Sequence, residues 1–175
     1  PEKLFSEVPD KKGKMSYWGH KLDQYEYDEV EIQVEGSTAR YWHPQYRQTH
    51  SKIRKVIEDV IGRKLYNTYY YDRFYFSGQE LSRHLDRPSC EISVSVHVST
   101  NLKQPWPIFV KKLNGENVGI ELEAGDGLLY KGCERPHWRE KMPDDPKIEN
   151  LYYHNIFFHY VLQDGTRAHY AFDRK

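Results

Sequence analysis

The chain is short of cysteine, of net charge and of long apolar runs, and each shortage excludes something. Two cysteines among 175 residues, Cys90 and Cys133, cannot build a disulfide framework. They read as reduced thiols, which points to a cytoplasmic setting. The 26 basic residues are cancelled by 26 acidic ones, so the broad positive field of a nucleic-acid binder is missing and such a partner is disfavoured. No apolar run approaches the roughly 18 residues of a membrane span, and no secretory leader opens the sequence. A membrane role is not expected, and nothing in the sequence sets an oligomeric state.

Low mean hydropathy (−0.91) with 38% hydrophobic residues would fit disorder, but 15% aromatic residues do not. Fifteen tyrosines account for much of the contrast, since each carries an apolar ring under one hydroxyl. The length suits one domain over 1–175. Residues 1–48 read as an arm with one possible strand, Glu29–Glu35, whose charged and apolar residues alternate until Gly36. Residues 49–62 read as a helix. Ile53, Val56, Ile57, Val60 and Ile61 form its stripe, Thr49 or Ser51 caps its start, and Gly62 stops it. Residues 68–172 then break into short tyrosine-, valine- and phenylalanine-rich runs between turn residues. The runs are 68–76, 91–98, 106–112, 118–122, 127–131, 137–140, 151–162 and 168–172, with Asn114-Gly115 as a hairpin turn. The expected class is mainly β: a double-stranded β-helix, or jelly roll, with an N-terminal supporting helix.

The chemistry gathers around His84-Leu85-Asp86. In an extended segment His84 and Asp86 share a face. His137, after the turn 132–136, supplies a second imidazole. Two histidines and one carboxylate on one side of an octahedron are the facial triad of non-haem iron(II) oxygenases, and they leave three adjacent positions open. The pattern is weak alone, because His-x-Asp occurs by chance. Cys133 and His137, with His84 and Cys90, make a weaker zinc alternative that would leave Asp86 idle.

The surroundings strengthen it. Arg73-Phe74-Tyr75, Gly78 to Leu81, His84 to Ser93, Trp106 to Val110, Gly125 to Cys133, His137 to Glu140 and Phe158-His159-Tyr160 follow one another in a characteristic order. In this the chain resembles the 2-oxoglutarate- and iron(II)-dependent dioxygenases, and within them the small prolyl-hydroxylase-like oxygenases of phages and marine microbes. The resemblance implies a double-stranded β-helix, Fe(II) held by His84, Asp86 and His137, and 2-oxoglutarate and O2 as cosubstrates. It implies hydroxylation of an aliphatic C–H in an amino acid, a peptidyl group or another small polar substrate, with release of succinate and CO2. The other class is a jelly-roll module that binds metal or ligand without turnover.

Many members of that family hold the far carboxylate of 2-oxoglutarate with a basic residue about ten positions after the distal histidine. Here Lys147 stands there, in an acidic loop, and matches poorly. Strand parity offers Arg139, two residues after His137, and Tyr75 first; then Arg73, on Tyr75's face; then His159, from the last long strand.

Overall fold

Aromatic and β-branched residues from Leu65 onward suit a pleated, half-buried surface better than a helix. The computed structural model describes residues 8–9, 12–18 and 24–172, with the backbone alone for 24–29. Its strands are β1 (Lys14–Trp18), β2 (Gln24–Val30), β3 (Thr38–Tyr41), β4 (Leu65–Phe76), β5 (Leu81–His84), β6 (Ile92–Thr100), β7 (Ile108–Lys111), β8 (Asn117–Ile120), β9 (Gly127–Tyr130), β10 (His137–Arg139) and β11 (Tyr152–Leu162). The helix α1 runs Arg47–Ile61.

A larger sheet has the order β2-β1-β3-β4-β11-β6-β9, and a smaller one the order β5-β10-β7-β8. From β4 onward the chain passes between the sheets at almost every step, with only the β7–β8 hairpin staying in one. All pairings within this part are antiparallel. That winding is a double-stranded β-helix. The strands β1 to β3 extend the larger sheet beyond it, with β1 parallel to β3.

Inward-facing side chains fill the space between the sheets, among them Tyr41, Tyr71, Tyr75, Leu81, Trp106, Tyr153 and Phe157. The other face of the larger sheet packs under α1 through Tyr46, Ile57, Leu65, Tyr70, Ile156, Phe158 and Tyr160. Between Phe158 and Tyr160 the register shifts: Phe158 faces Tyr70, whereas Tyr160 faces Asn67. One strand takes three steps there and the other two, which is a β-bulge. It explains why Tyr69 points inward while Leu65, of the same parity, packs under the helix.

Several expectations need correction. The strand expected over Glu29–Glu35 is a loop after Val30. Burial there does not alternate: Glu31 and Val34 are buried, and Val30, Ile32 and Gln33 are exposed. Glu31 goes inside because Arg73 lies there to meet it. The helix starts earlier than Thr49: a 3-10 turn over Pro44–Tyr46 leads into it, capped by the His43 side chain. Ser51 receives Asn67 from β4 instead of capping. Val56 and Val60 are exposed, so the buried stripe is narrower: His50, Ile53, Ile57 and Ile61. Gly62 ends the helix in the left-handed region as expected. Residues 168–172 form a 3-10 helix. The arm holds three strands, β1, β2 and β3, and β5 falls in a stretch with no expected strand.

Candidate metal centre

The smaller sheet places β5 beside β10, with His84 and His137 as direct partners across the ladder. Asp86 leaves the end of β5, and its backbone N–H donates to the Gly132 carbonyl. His84 Nε2 lies 3.3 Å and His137 Nε2 3.2 Å from the same oxygen of Asp86, Oδ1. Among the described residues these three form one of two groups whose donor atoms could hold a metal ion.

The backbone sets the orientation of both rings. His84 Nδ1 donates to the Ser82 carbonyl at 2.7 Å, and His137 Nδ1 to the Arg135 carbonyl at 2.8 Å. A carbonyl can only accept, so both Nδ1 atoms carry hydrogen and both Nε2 lone pairs turn toward the carboxylate. Two lone pairs and an anion meeting at one point call for a cation, and second-shell carbonyls of this kind orient metal-binding histidines. Burial lowers the His84 pKa, but its bonds to Asp86 and to the Ser82 carbonyl outweigh this and raise it. Burial pushes Asp86 up, yet the bonds from His137 and His84 hold it well below the usual carboxylate range.

Asp86 is boxed in from behind. A Cβ on Gly132 would stand 2.3 Å from Asp86 Oδ2 and 2.5 Å from the Cys90 carbonyl oxygen. Ser93 Oγ lies 3.2 Å from Oδ2 and 2.9 Å from His159 Nδ1. Neither Ser93 nor Gly132 stood out in the sequence as a site residue. The serine-valine alternation of β6 was visible, but not which face looks inward. Ile92 and Val94 pack on the helix side, so Ser93, Ser95 and His97, all buried, face the interior.

The expected cosubstrate residues line the same interior. Arg139 is fully buried between the Trp106 and Tyr153 rings, each 4.8 Å from its guanidinium carbon. It donates to the Trp106 carbonyl at 2.7 Å and reaches Asn155. Tyr75 stands edge-on to Trp106. Arg73 is bound by Glu31 at 3.2 Å and by Gln33 at 2.9 Å. His159 bridges through Ser93 toward Asp86, and burial lowers its pKa to about 4. All four keep buried polar atoms without a partner: Arg139 Nε, Tyr75 Oη, Arg73 Nε and Nη1, and His159 Nε2. Such atoms cost about 1–3 kcal/mol each unless something polar joins them. Lys147 is exposed in its loop, away from this interior. The four-residue zinc set is not assembled: Cys133 donates to the Arg87 carbonyl and belongs to neither donor group.

Beside the triad lies a cavity of about 520 Å³. Its walls include His84, Asp86, Arg87 and Cys90, the rings of Tyr17, Tyr41, Tyr69 and Tyr71, and the loop residues Glu31 to Gln33. The loop's part in the site was not legible from sequence, because Glu29–Glu35 reads as a strand with its charges in solvent.

No family model matches the chain, and no curated protein does. Solved structures match in fold. A prolyl 4-hydroxylase from Pseudomonas putida superposes with a TM-score of 0.53 and 16% identity, over 71% of this chain and 72% of that one. A viral collagen prolyl hydroxylase from Paramecium bursaria chlorella virus 1, in complex with 2-oxoglutarate, gives 0.52 and 11%, over 71% and 78%. An oxidoreductase of the 2-oxoglutarate–Fe(II) oxygenase family from Burkholderia pseudomallei gives 0.50 and 12%, over 62% and 50%. At these identities the likeness is one of fold.

Proposed function

We propose that the protein is an iron(II)- and 2-oxoglutarate-dependent dioxygenase that hydroxylates an aliphatic C–H of a small or peptidyl substrate. The observation that carries this reading is the meeting of the two Nε2 lone pairs with the Asp86 carboxylate, fixed by the carbonyls of Ser82 and Arg135. His84, Asp86 and His137 would hold the metal; an N2O set with one negative charge suits iron(II) and leaves positions for cosubstrate and oxygen. Iron(II) there supplies oxygen activation: one atom of O2 enters the new hydroxyl, and the other enters succinate as 2-oxoglutarate loses CO2.

The chain's own residues would do the positioning. Arg139 presents a planar fork that matches the far carboxylate of 2-oxoglutarate, and the Tyr75 hydroxyl adds a donor. Both side chains pack against Trp106, and each keeps an unpartnered polar atom that a bound carboxylate would satisfy. Arg73 lies over the Tyr75 ring, and His159 lines the cavity beside Asp86. The neighbours named as prolyl hydroxylases favour a prolyl or related substrate.

Succinate release from 2-oxoglutarate, with and without added iron(II), tests the reading. Release should require iron and vanish in His84→Ala. Stoichiometric zinc that iron cannot exchange, with no turnover, would support a non-catalytic module instead.

A further inference from the structure

The cavity beside the triad has two charged poles that the iron site does not use. Glu31 is 2% exposed. Its Oε1 accepts from Arg73 Nη2 and from the Gln33 N–H, while its Oε2 is buried with no partner. A buried carboxylate oxygen left unbonded is costly, so a donor brought to it would be favoured. The other pole is Arg87, the residue after Asp86. Its guanidinium lies over the Tyr69 ring at 5.0 Å and is oriented by Ser89. Both poles line the cavity that reaches His84 and Asp86, and its size is that of a small-molecule site.

The loop that carries Glu31 forms one wall. Gln33 ties it to the same Arg73 nitrogen, and Val34 anchors it in the core. A residue inside a polypeptide carries neither backbone charge, so it would leave Glu31 Oε2 as it stands.

We propose that this cavity takes a small free amino acid, its ammonium accepted by Glu31 and its carboxylate by Arg87, with its aliphatic carbons turned toward His84 and Asp86. This rests on the oxygenase reading and chooses the free molecule over the peptide.

The test uses the wild-type, iron-loaded protein. Succinate release is measured with each of the twenty free L-amino acids, then with the N-acetyl and C-amide forms of the best, and with a short peptide containing it. At least one free amino acid should raise release about tenfold or more over the substrate-free rate, and either block should remove most of that gain, as expected for a lost charge-assisted bond. Glu31→Gln should then raise the KM for the amino acid by roughly tenfold or more, with kcat changed less. Iron-dependent release without amino acid, unmoved by all twenty, overturns the proposal and leaves the oxygenase reading in place. Equal stimulation by the N-acetyl form or the peptide also overturns it. Failure to bind iron or to consume 2-oxoglutarate overturns both.

Discussion

His84 and His137, paired across β5 and β10, aim their Nε2 atoms at one oxygen of Asp86, at 3.3 and 3.2 Å. A divalent cation should therefore stabilise the fold by mass action, by about 2.7 kcal/mol at a hundredfold excess over Kd. Thermal melts with iron(II) under anaerobic conditions should show Tm rising by several degrees. Asp86→Ala should abolish that rise, and a chelator should reverse it in the wild type. Equal shifts in wild type and variant would place the ion elsewhere.

Gly132 has no room for a side chain. Gly132→Ala would drive a methyl into Asp86 Oδ2, the Cys90 carbonyl and Ser93 Oγ, the last 2.8 Å away. Overpacking of this kind costs about 1–3 kcal/mol. Here it should also displace Asp86. The expected result is a folded protein whose metal affinity, measured by calorimetry, falls more than its urea midpoint does.

Arg139 and Lys147 make opposite forecasts. Arg139→Ala should raise the apparent KM for 2-oxoglutarate roughly 10- to 100-fold, the loss of one charge-assisted anchor. Lys147→Ala should leave it unchanged, since the side chain is exposed in the 140–150 loop. The reverse order would remove Arg139 from the cosubstrate site.

On the helix side of the larger sheet, Asp72 is fully buried and receives Arg40 Nε at 2.9 Å and His154 Nε2 at 2.8 Å. Burial raises its pKa, but the charge of Arg40 and the bond from His154 bring the net value below 3.8. A depressed carboxyl stabilises the fold above its unfolded pKa, and that contribution is lost as pH falls through the folded one. Asp72→Asn leaves Arg40 buried beside an uncharged group and should cost about 3–5 kcal/mol, read as a lower urea midpoint at pH 7.

His50 gives a second acid dependence in a higher window. Its Nε2–H donates to the His159 carbonyl, and its ring packs against Tyr70, Phe158 and Tyr160. Burial lowers its pKa from 6.5 to about 3, only partly offset by that bond. The unfolded chain takes up a proton below pH 6.5 that the fold refuses. Stability from this group is thus complete above 6.5 and falls by about 1.4 kcal/mol per pH unit below it. Urea midpoints between pH 7 and 5 should drop in the wild type and drop less in His50→Phe.

Much of the scaffold was legible, because period-2 runs and turn residues mark strands directly: β4, β6, β11 and the Asn114 hairpin all lie where the pattern puts them. The grouping of His84, Asp86 and His137 was legible because two of them sit two residues apart and the third just after a turn. What stayed hidden depends on distant partners. Leu81–His84 is four residues long with three of them polar, and it becomes β5 only because β10 pairs with it. Glu31 looks like a solvent-facing charge until Arg73, 42 residues later, draws it inside. Val56 and Val60 fit a helical stripe, yet they lie beside the row His50, Ile53, Ile57 and Ile61 that meets the sheet, and they stay exposed.

The bulge opposite His159 has a consequence for length rather than for composition. Above it, Arg73 serves the interior and its neighbour Asp72 serves the helix side; below it, the odd-numbered residues change sides. The strand thus keeps a phase, and the bulge is where the phase is reset. Losing one residue between Leu65 and Tyr69 would let the strand zip without interruption and would leave Leu65 and the row from Tyr69 to Tyr75 on their present sides, since three steps in place of four already put them on opposite faces. Side chains along β4 can be exchanged one at a time, each at its own cost. Outside the bulge the number of residues cannot change, because losing one between Tyr69 and Tyr75 would turn part of that row to the wrong side.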